Sequence, residues 1–367
     1  MNIAIRTDAS ALIGTGHLIR CLTLAEHLRA SGANVQFVSR EHQGSLCDLL
    51  EEREFPVVRL PEPLVVTPPS KPDDYRAWLA VPWEQDAQET SSALDRNGHT
   101  WQWLVLDHYG LDYRWEEAVR PEGCRLMIID DLANRRHSCD LLLDQNFYLD
   151  YETRYDALTP AGCRRLLGPS YAILRPQFYE RVDQVTQRTG KVERILIFYG
   201  GVDATGETLK TLRALESVCK RGDIALDVIV GASNPEVKDI EAWCRRYGTV
   251  DCHQRVENMA ELMARVDFSF GGGGTTTWER CILGLPTATI EVAGNQRIAL
   301  EALALRGAVW HLGLHSAVTE AMIAERLYYA LDHPDDVREL GTNARAIMGD
   351  AEAGAGCPAV AAMLENS

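Results

Sequence analysis

NIAIRTDASALIGTGHLIRCLTLAEHLRASG, residues 2–32, joins a short β-branched run, a glycine-bearing turn and an amphipathic stretch. After the run NIAIRTD (2–8), Leu18, Leu22, Leu24, Ala25 and Leu28 fall near i, i+4, i+7 spacing, and Gly32 closes the pattern. At 3.6 residues per turn those side chains gather into one apolar stripe, which predicts a helix lying on a sheet. A strand, a turn and a helix make the first half of a βαβ unit. The alternation continues through ANVQFVS (33–39), WQWLVLD (101–107), RLMIID (125–130) and DLLLDQN (140–146). A second series follows, ERILIFYGG (193–201), ALDVIVGAS (225–233), VDFSFGGGG (266–274) and LPTATIEVAG (285–294), each leading into a helical pattern. The fold class expected is α/β, with parallel sheets covered on both faces.

A chain of 367 residues is longer than one hydrophobic core usually serves, so two domains are expected. SYAILRPQFYERVDQVTQRTGK (170–191) ends in a polar stretch suited to a linker, which puts the boundary near 185: residues 1–185 and 186–367. The last helix, from about 334, is expected to pack across or back onto the first domain. The proline-dense PEPLVVTPPSKPDDY (61–75) reads as an excursion within the first domain.

Composition narrows the function. An apolar share of 46% with 25% charged residues describes an ordinary globular protein, and no run approaches the ~20 apolar residues of a membrane span. The first residues run into a charged strand, not a secretory leader, so a cytoplasmic location is expected. A net charge of −16 repels nucleic acid and anionic membranes, leaving a small phosphorylated ligand held at a local site. The ten cysteines are scattered, with no C-x-x-C pair and no zinc spacing, so reduced thiols and no metal are expected.

Open α/β sheets bind ligands at the carboxyl ends of their strands, and the informative residues cluster there. In the second half, Gly200-Gly201-Val202-Asp203 follows one strand; Gly271 to Gly274 with Thr275, Thr276 and Thr277 follows another and opens a helix. Glycines let a ligand approach the backbone, and helix-start amides attract anions, so phosphate binding is expected. No G-K-[ST] follows, and no G-x-G-x-x-G sits on the first strand. Glu279, one turn into the helix, either accepts hydrogen bonds from a ribose diol or stands on a solvated surface. Asn295 and Gln296 either bind a sugar or cap the next helix. In the first half, Asp8 precedes the turn through Gly14, Gly16 and His17, and Asp107-His108-Tyr109-Gly110 ends another strand. The positive end of a helix disfavours an imidazolium, so His17 is either a neutral general base or a cap. His108 is as readily an inward, structural histidine.

Taken together, RTDASALIGTGHLIRCLTLA, LVLDHYGLD, IIDDLANRRHSCDLLLDQN, LGPSYAILRPQFY, YGGVD, GGGGTTTWERCILGLP and AGNQ resemble the PseG (SpsG-like) family of nucleotide-sugar hydrolases and, more distantly, MurG-type glycosyltransferases. The likeness runs in order from residue 2 to about 300; the last 60 residues are less distinctive. It implies a GT-B fold, two Rossmann-like domains with parallel sheets facing across a cleft and UDP held by the second. It implies hydrolysis of the sugar C1–O bond of UDP-2,4-diacetamido-2,4,6-trideoxy-β-L-altropyranose, with inversion, by a monomer without metal or cofactor. By motif, His17 is the catalytic histidine. Glu279 would hold the ribose; Gly200, Gly201, Gly274, Thr275 and Thr276 the diphosphate; and the backbone at Val256 the uracil. Arg6, Asp8, Gly16, Arg20, Asp107, Tyr109, Asn146, Asn295 and Gln296 would meet the sugar, with Asp8, Asn146 or Tyr109 orienting His17. The chain departs from the family in having glycine at 271 to 274, where serines are common.

Two rivals share the nucleotide site. A GT-B glycosyltransferase would pass the sugar to an acceptor and carry an apolar, basic patch on the first domain; the acidic charge weighs against it. A sugar-nucleotide sensor would have no use for His17.

Overall fold

The computed structural model describes residues 1–10, 12–64, 70–71, 74–96, 98–182, 188–231, 233–254, 256, 258–349 and 356–365. Parts of the proline-dense excursion (65–69, 72–73), of the linker (183–187) and of the segment around Val256 (255, 257) lie outside these residues. The chain divides into two units: Met1–Asn146, Asp150–Ile173 and Gly356–Ser367, and Phe147–Leu149 with Leu174–Ala355.

The first unit holds a seven-stranded sheet of β1 (Asn2–Thr7), β2 (Asn34–Arg40), β3 (Val57–Leu60), β4 (Trp103–Asp107), β5 (Arg125–Ile129), β6 (Leu141–Asp144) and β7 (Arg164–Leu167). The strands are all parallel and run in the order β3-β2-β1-β4-β5-β6-β7. Alternate side chains feed two cores, as a pleated strand requires. Ile3, Ile5, Val105, Met127 and Leu143 pack with Leu18, Leu24 and Leu28 of the helix Gly16–Ala30 and with Val360 and Met363 of the helix Pro358–Leu364. Ala4, Leu104, Leu106, Leu126 and Leu142 pack on the other face with Trp115 and Leu94. Each such aliphatic side chain contributes roughly 1.5–3 kcal/mol by leaving water, so cutting one, as in Leu24→Ala, costs about 2–5 kcal/mol.

The second unit repeats the plan with six parallel strands: β8 (Arg194–Phe198), β9 (Ala225–Ile229), β10 (Val250–His253), β11 (Phe268–Gly272), β12 (Thr287–Glu291) and β13 (Trp310–Leu314). Their order is β10-β9-β8-β11-β12-β13. Strand order therefore reverses between β1 and β4 in one sheet and between β8 and β11 in the other, the positions where such sheets bind ligands.

Four strands fall outside the apolar runs read from the sequence: β3, β7, β10 and β13. They are the four sheet edges, and each carries half-exposed or exposed positions that interrupt an apolar run. The units divide at Ile173–Leu174, ahead of residue 185, because the helix Pro176–Arg181 packs with the helix Met259–Arg265. The helix Pro334–Ile347 packs within the second unit; the chain rejoins the first only with the later helix Pro358–Leu364, against Gly16–Ala30. All ten cysteines are free thiols, Cys163 and Cys252 half-buried and the others buried. Among the described residues, no helix is long and apolar enough to cross a membrane.

Candidate active site

In the first unit the site grows from the ends of β1 and β4, whose last residues Thr7 and Asp107 are register partners. Beyond β1 the chain turns through Gly14, whose φ of +81° suits glycine, and enters the helix at Gly16, where an added Cβ would meet nothing within 4 Å. His17 follows, 8% exposed.

Asp107 Oδ1 lies 2.6 Å from His17 Nδ1, and Arg20 grips the same carboxylate through Nε (2.9 Å to Oδ2) and Nη2 (2.8 Å to Oδ1). An ionised carboxylate only accepts, so Nδ1 carries a ring proton, and in the neutral ring the acceptor is Nε2. Arg20 Nη2 stands 3.5 Å from Nδ1, too far to compete with the 2.6 Å bond. Burial alone would raise the Asp107 carboxyl, but Arg20 and His17 outweigh it and hold it well below the usual carboxylate range. Tyr109 and Trp78 meet the imidazole edge-on at 4.4 and 5.8 Å between ring centres, which fixes its plane.

Asp107, expected to meet the sugar, is thus wholly buried behind His17 and orients it. Sequence reasoning missed Asp131, which gathers three of the expected residues. Tyr109 donates its hydroxyl to Asp131 Oδ1, Asn146 Nδ2 donates to Oδ2 at 3.0 Å, and Arg20 Nη1 stands 3.7 Å from Oδ2. The available signal was the pair Asp130-Asp131 directly after β5, a strand end in the same layer.

Arg6 and Asp8 are placed elsewhere. Both are fully buried: Arg6 bonds Asp8 at 2.5 Å and Asp86 at 2.7 Å, while Asp8 also accepts the Arg40 amide at 2.7 Å. Among the described residues no hydrogen bond joins Asp8 to His17. At the end of β1, a central strand, these charges are tied to the end of β2 and to Asp86 of the helix Trp83–Asp95. His108 belongs to the same layer: its Nδ1 accepts the Gly110 amide at 3.0 Å, and burial pushes its pKa down to about 4, so it is neutral.

In the second unit the glycines sort by what a Cβ would meet. At Gly271 it would stand 2.0 Å from Arg280 Nη1, at Gly273 2.7 Å from Leu300, and at Gly231 1.8 Å from Gly201 O. Packing demands those glycines, and Gly272, at 3.3 Å from Val292, is also snug. Only Gly274 of the run 271–274, together with Gly200 and Gly201, faces open space. Three of the four glycines in the run are thus set by their packing, and Gly274, the one expected to meet the diphosphate, stands beside open space. Thr275 precedes the helix Thr276–Ile282 without a side-chain cap bond, and Thr277 is buried. Asp203, in contrast, caps the helix after Gly200-Gly201, accepting the amides of Glu207 (3.0 Å) and Thr208 (2.8 Å).

Glu279 is buried, not solvated. Its Oε1 accepts from Arg175 Nε (2.9 Å) and Nη2 (2.8 Å), while Oε2 is buried with no hydrogen-bond partner. Burial raises its pKa, and Arg175 opposes the rise. Arg175, in the quoted LRPQF, was another residue the sequence reading passed over. Gln296 spends its carbonyl on the amides of Gly273 (3.2 Å) and Val292 (3.1 Å), bracing the glycine turn, while Asn295 is exposed. Val256 is half-buried just before Asn258, which caps the helix Met259–Arg265. Among the described residues no group of three or more His, Cys, Asp or Glu side chains could hold a metal ion.

Known proteins match this chain over most of its length, although no family model does. It is 26% identical over 264 residues to the UDP-2,4-diacetamido-2,4,6-trideoxy-beta-L-altropyranose hydrolase of Campylobacter jejuni, covering 72% of this chain and 81% of that one. Among solved structures, MurG of Acinetobacter baumannii superposes with a TM-score of 0.64 at 15% identity, over 99% of both chains. An Oryza sativa protein solved in complex with UDP superposes with a TM-score of 0.65 at 13% identity, over the whole of both chains. The fold is the α/β GT-B fold of the glycosyltransferases, two Rossmann-like units each built on a parallel sheet.

Proposed function

We propose that this protein hydrolyses UDP-2,4-diacetamido-2,4,6-trideoxy-β-L-altropyranose at the sugar C1–O bond, with inversion, releasing UDP and 2,4-diacetamido-2,4,6-trideoxy-L-altropyranose for pseudaminic acid synthesis. The observation that carries the reading is the 2.6 Å His17–Asp107 pair at a sheet's switch point, in a chain similar to a hydrolase of that name.

The second unit holds the nucleotide. The open backbone at Gly200, Gly201 and Gly274 to Thr276 takes the diphosphate, the unpartnered Oε2 of Glu279 accepts a ribose hydroxyl, and the backbone at Val256 meets the uracil edge. Cleaving the anomeric bond puts negative charge on the departing diphosphate, which fixed backbone dipoles stabilise without rearranging.

The first unit supplies the water. His17 Nε2 takes one proton as the water oxygen bonds to C1, and the electrons of the breaking C1–O bond leave with UDP. Asp107 holds the ring in the right tautomer and steadies the imidazolium that forms, in the manner of a triad carboxylate. Arg20 and Asn146, tied together with Tyr109 by Asp131, offer N–H donors to the sugar's acetamido and hydroxyl groups, while the Tyr109 oxygen, its proton given to Asp131, can accept from a sugar hydroxyl.

Incubation with the UDP-sugar and no acceptor, followed by NMR, tests the reading. Release of equal amounts of UDP and free sugar is expected. Release only after an acceptor is added would identify a glycosyltransferase instead.

A further inference from the structure

Arg280, on the glycine-turn helix, carries a charge that the reading above leaves unused. It is 1% exposed. Its Nη2 donates to Gly272 O at 2.6 Å and to Thr277 Oγ1 at 3.1 Å, while Nε and Nη1 are buried with no hydrogen-bond partner. The carboxylate beside it in sequence, Glu279, is taken by Arg175. Burial lowers the Arg280 pKa to about 10, so the guanidinium is charged at neutral pH.

Its position is specific. A Cβ on Gly271 would stand 2.0 Å from Nη1 and 2.7 Å from Phe198 O, and Gly271 and Phe198 are register partners of β11 and β8. The cation therefore lies directly under the last residues of both strands, from which the chain turns at Gly200-Gly201 and at Gly273 to Thr275. A buried charge without a partner opposes folding, and an apolar side chain of similar length would fill the same space without that cost.

We propose that Arg280 is the counter-charge for the diphosphate of a nucleoside diphosphate bound over these two turns, acting from beneath the backbone without touching the phosphates. The proposal rests on the nucleotide reading given above. In a water-poor interior a charge acts strongly across a few ångströms, and Gly271, lacking a side chain, lets the cation come up against the turn. The same field favours the negative charge that builds on UDP as it leaves, so Arg280 serves binding and leaving-group departure together.

Calorimetric titration of UDP and of uridine against the wild type and Arg280→Gln separates charge from packing, because glutamine keeps a donor for Gly272 O and uridine carries no phosphate. The glutamine variant is expected to lose about tenfold or more in UDP affinity, with uridine affinity held within about twofold. Equal losses for both ligands, or no loss for UDP, would overturn the proposal. Arg280→Lys provides a second reading should the glutamine variant fail to fold. A buried lysine sheds its proton more readily than arginine, so the variant's preference for UDP over uridine should fall, relative to the wild type, between about pH 6 and about pH 9. A preference that tracks the wild type across that range would contradict the charge role. If the wild type bound neither ligand, the nucleotide reading itself would fail, an outcome distinct from the failure of Arg280 alone.

Discussion

The turns after β1 and β4 and the turns after β8 and β11 occupy the same place in two sheets of the same plan, and the two sets are built from opposite materials. Around the first, His17, Arg20, Asp107, Tyr109 and Asp131 form a continuous set of buried, mutually bonded side chains. Around the second, Gly200, Gly201 and Gly274 leave the backbone bare, and the nearby charges, Glu279 and Arg280, each keep an unpartnered atom. A side-chain network fixes individual atoms to a few tenths of an ångström, as proton transfer demands. Bare amides over a buried cation offer a diffuse positive field, as a diphosphate demands.

The sharpest way to break this contrast is to remove a group from the first set and look for an effect on nucleotide binding. His17→Ala should cut turnover about a thousandfold while UDP affinity stays unchanged; a parallel loss of UDP affinity would show that the two sets do not divide the work. Asp107→Asn should cost about a hundredfold in kcat through the wrong imidazole tautomer, again without altering UDP affinity. It also leaves Arg20 without its carboxylate, so the melting temperature should fall as well, and calorimetry separates that loss from the kinetic one.

The second set is tested by adding atoms. Gly274→Ala meets open space and should leave stability unchanged, but weaken UDP binding about tenfold by crowding the amides. Gly273→Ala drives a methyl into Leu300, so it should cost about 1–3 kcal/mol of stability with a smaller effect on UDP. If the two variants behaved alike, sorting the glycines by their surroundings would be wrong.

The smallest effect concerns the buried charges that brace the first unit. His137 lies 2.7 Å from Glu116 and 3.8 Å from Asp130; burial works against its protonation, but the two carboxylates raise its pKa to about 9. A raised pKa stabilises the fold fully below the unfolded value of about 6.5, and that stability is lost as pH rises through about 9, by about 3 kcal/mol at most. Urea unfolding between those limits should show the decline in the wild type, and His137→Gln should flatten it.

Central strands were legible in the sequence because both faces are buried and the residues read as apolar runs. The edge strands VVRL, RRLL, VDCH and WHLGL were not, because neighbours cover only one side of each. The glycine run 271–274 was legible as a landmark, but the separate reason for each glycine was not. Sequence gives no view of Leu300 or Arg280 pressing on it, so packing glycines and open ones look identical. His17 stood out by its place at a helix start, whereas its partner is set by tertiary contact: Asp107 lies 90 positions away and Asp131 farther still. Asp8, closer in sequence, is taken by Arg6 and the Arg40 amide.

The central claim is that water steered by His17 attacks the anomeric carbon while UDP departs intact. Turnover of the UDP-sugar in 18O-enriched water, with mass analysis of both products, reads this directly. Attack at C1 puts label in the free sugar and none in UDP. Label in the UDP phosphate would mean attack at phosphorus and would contradict it.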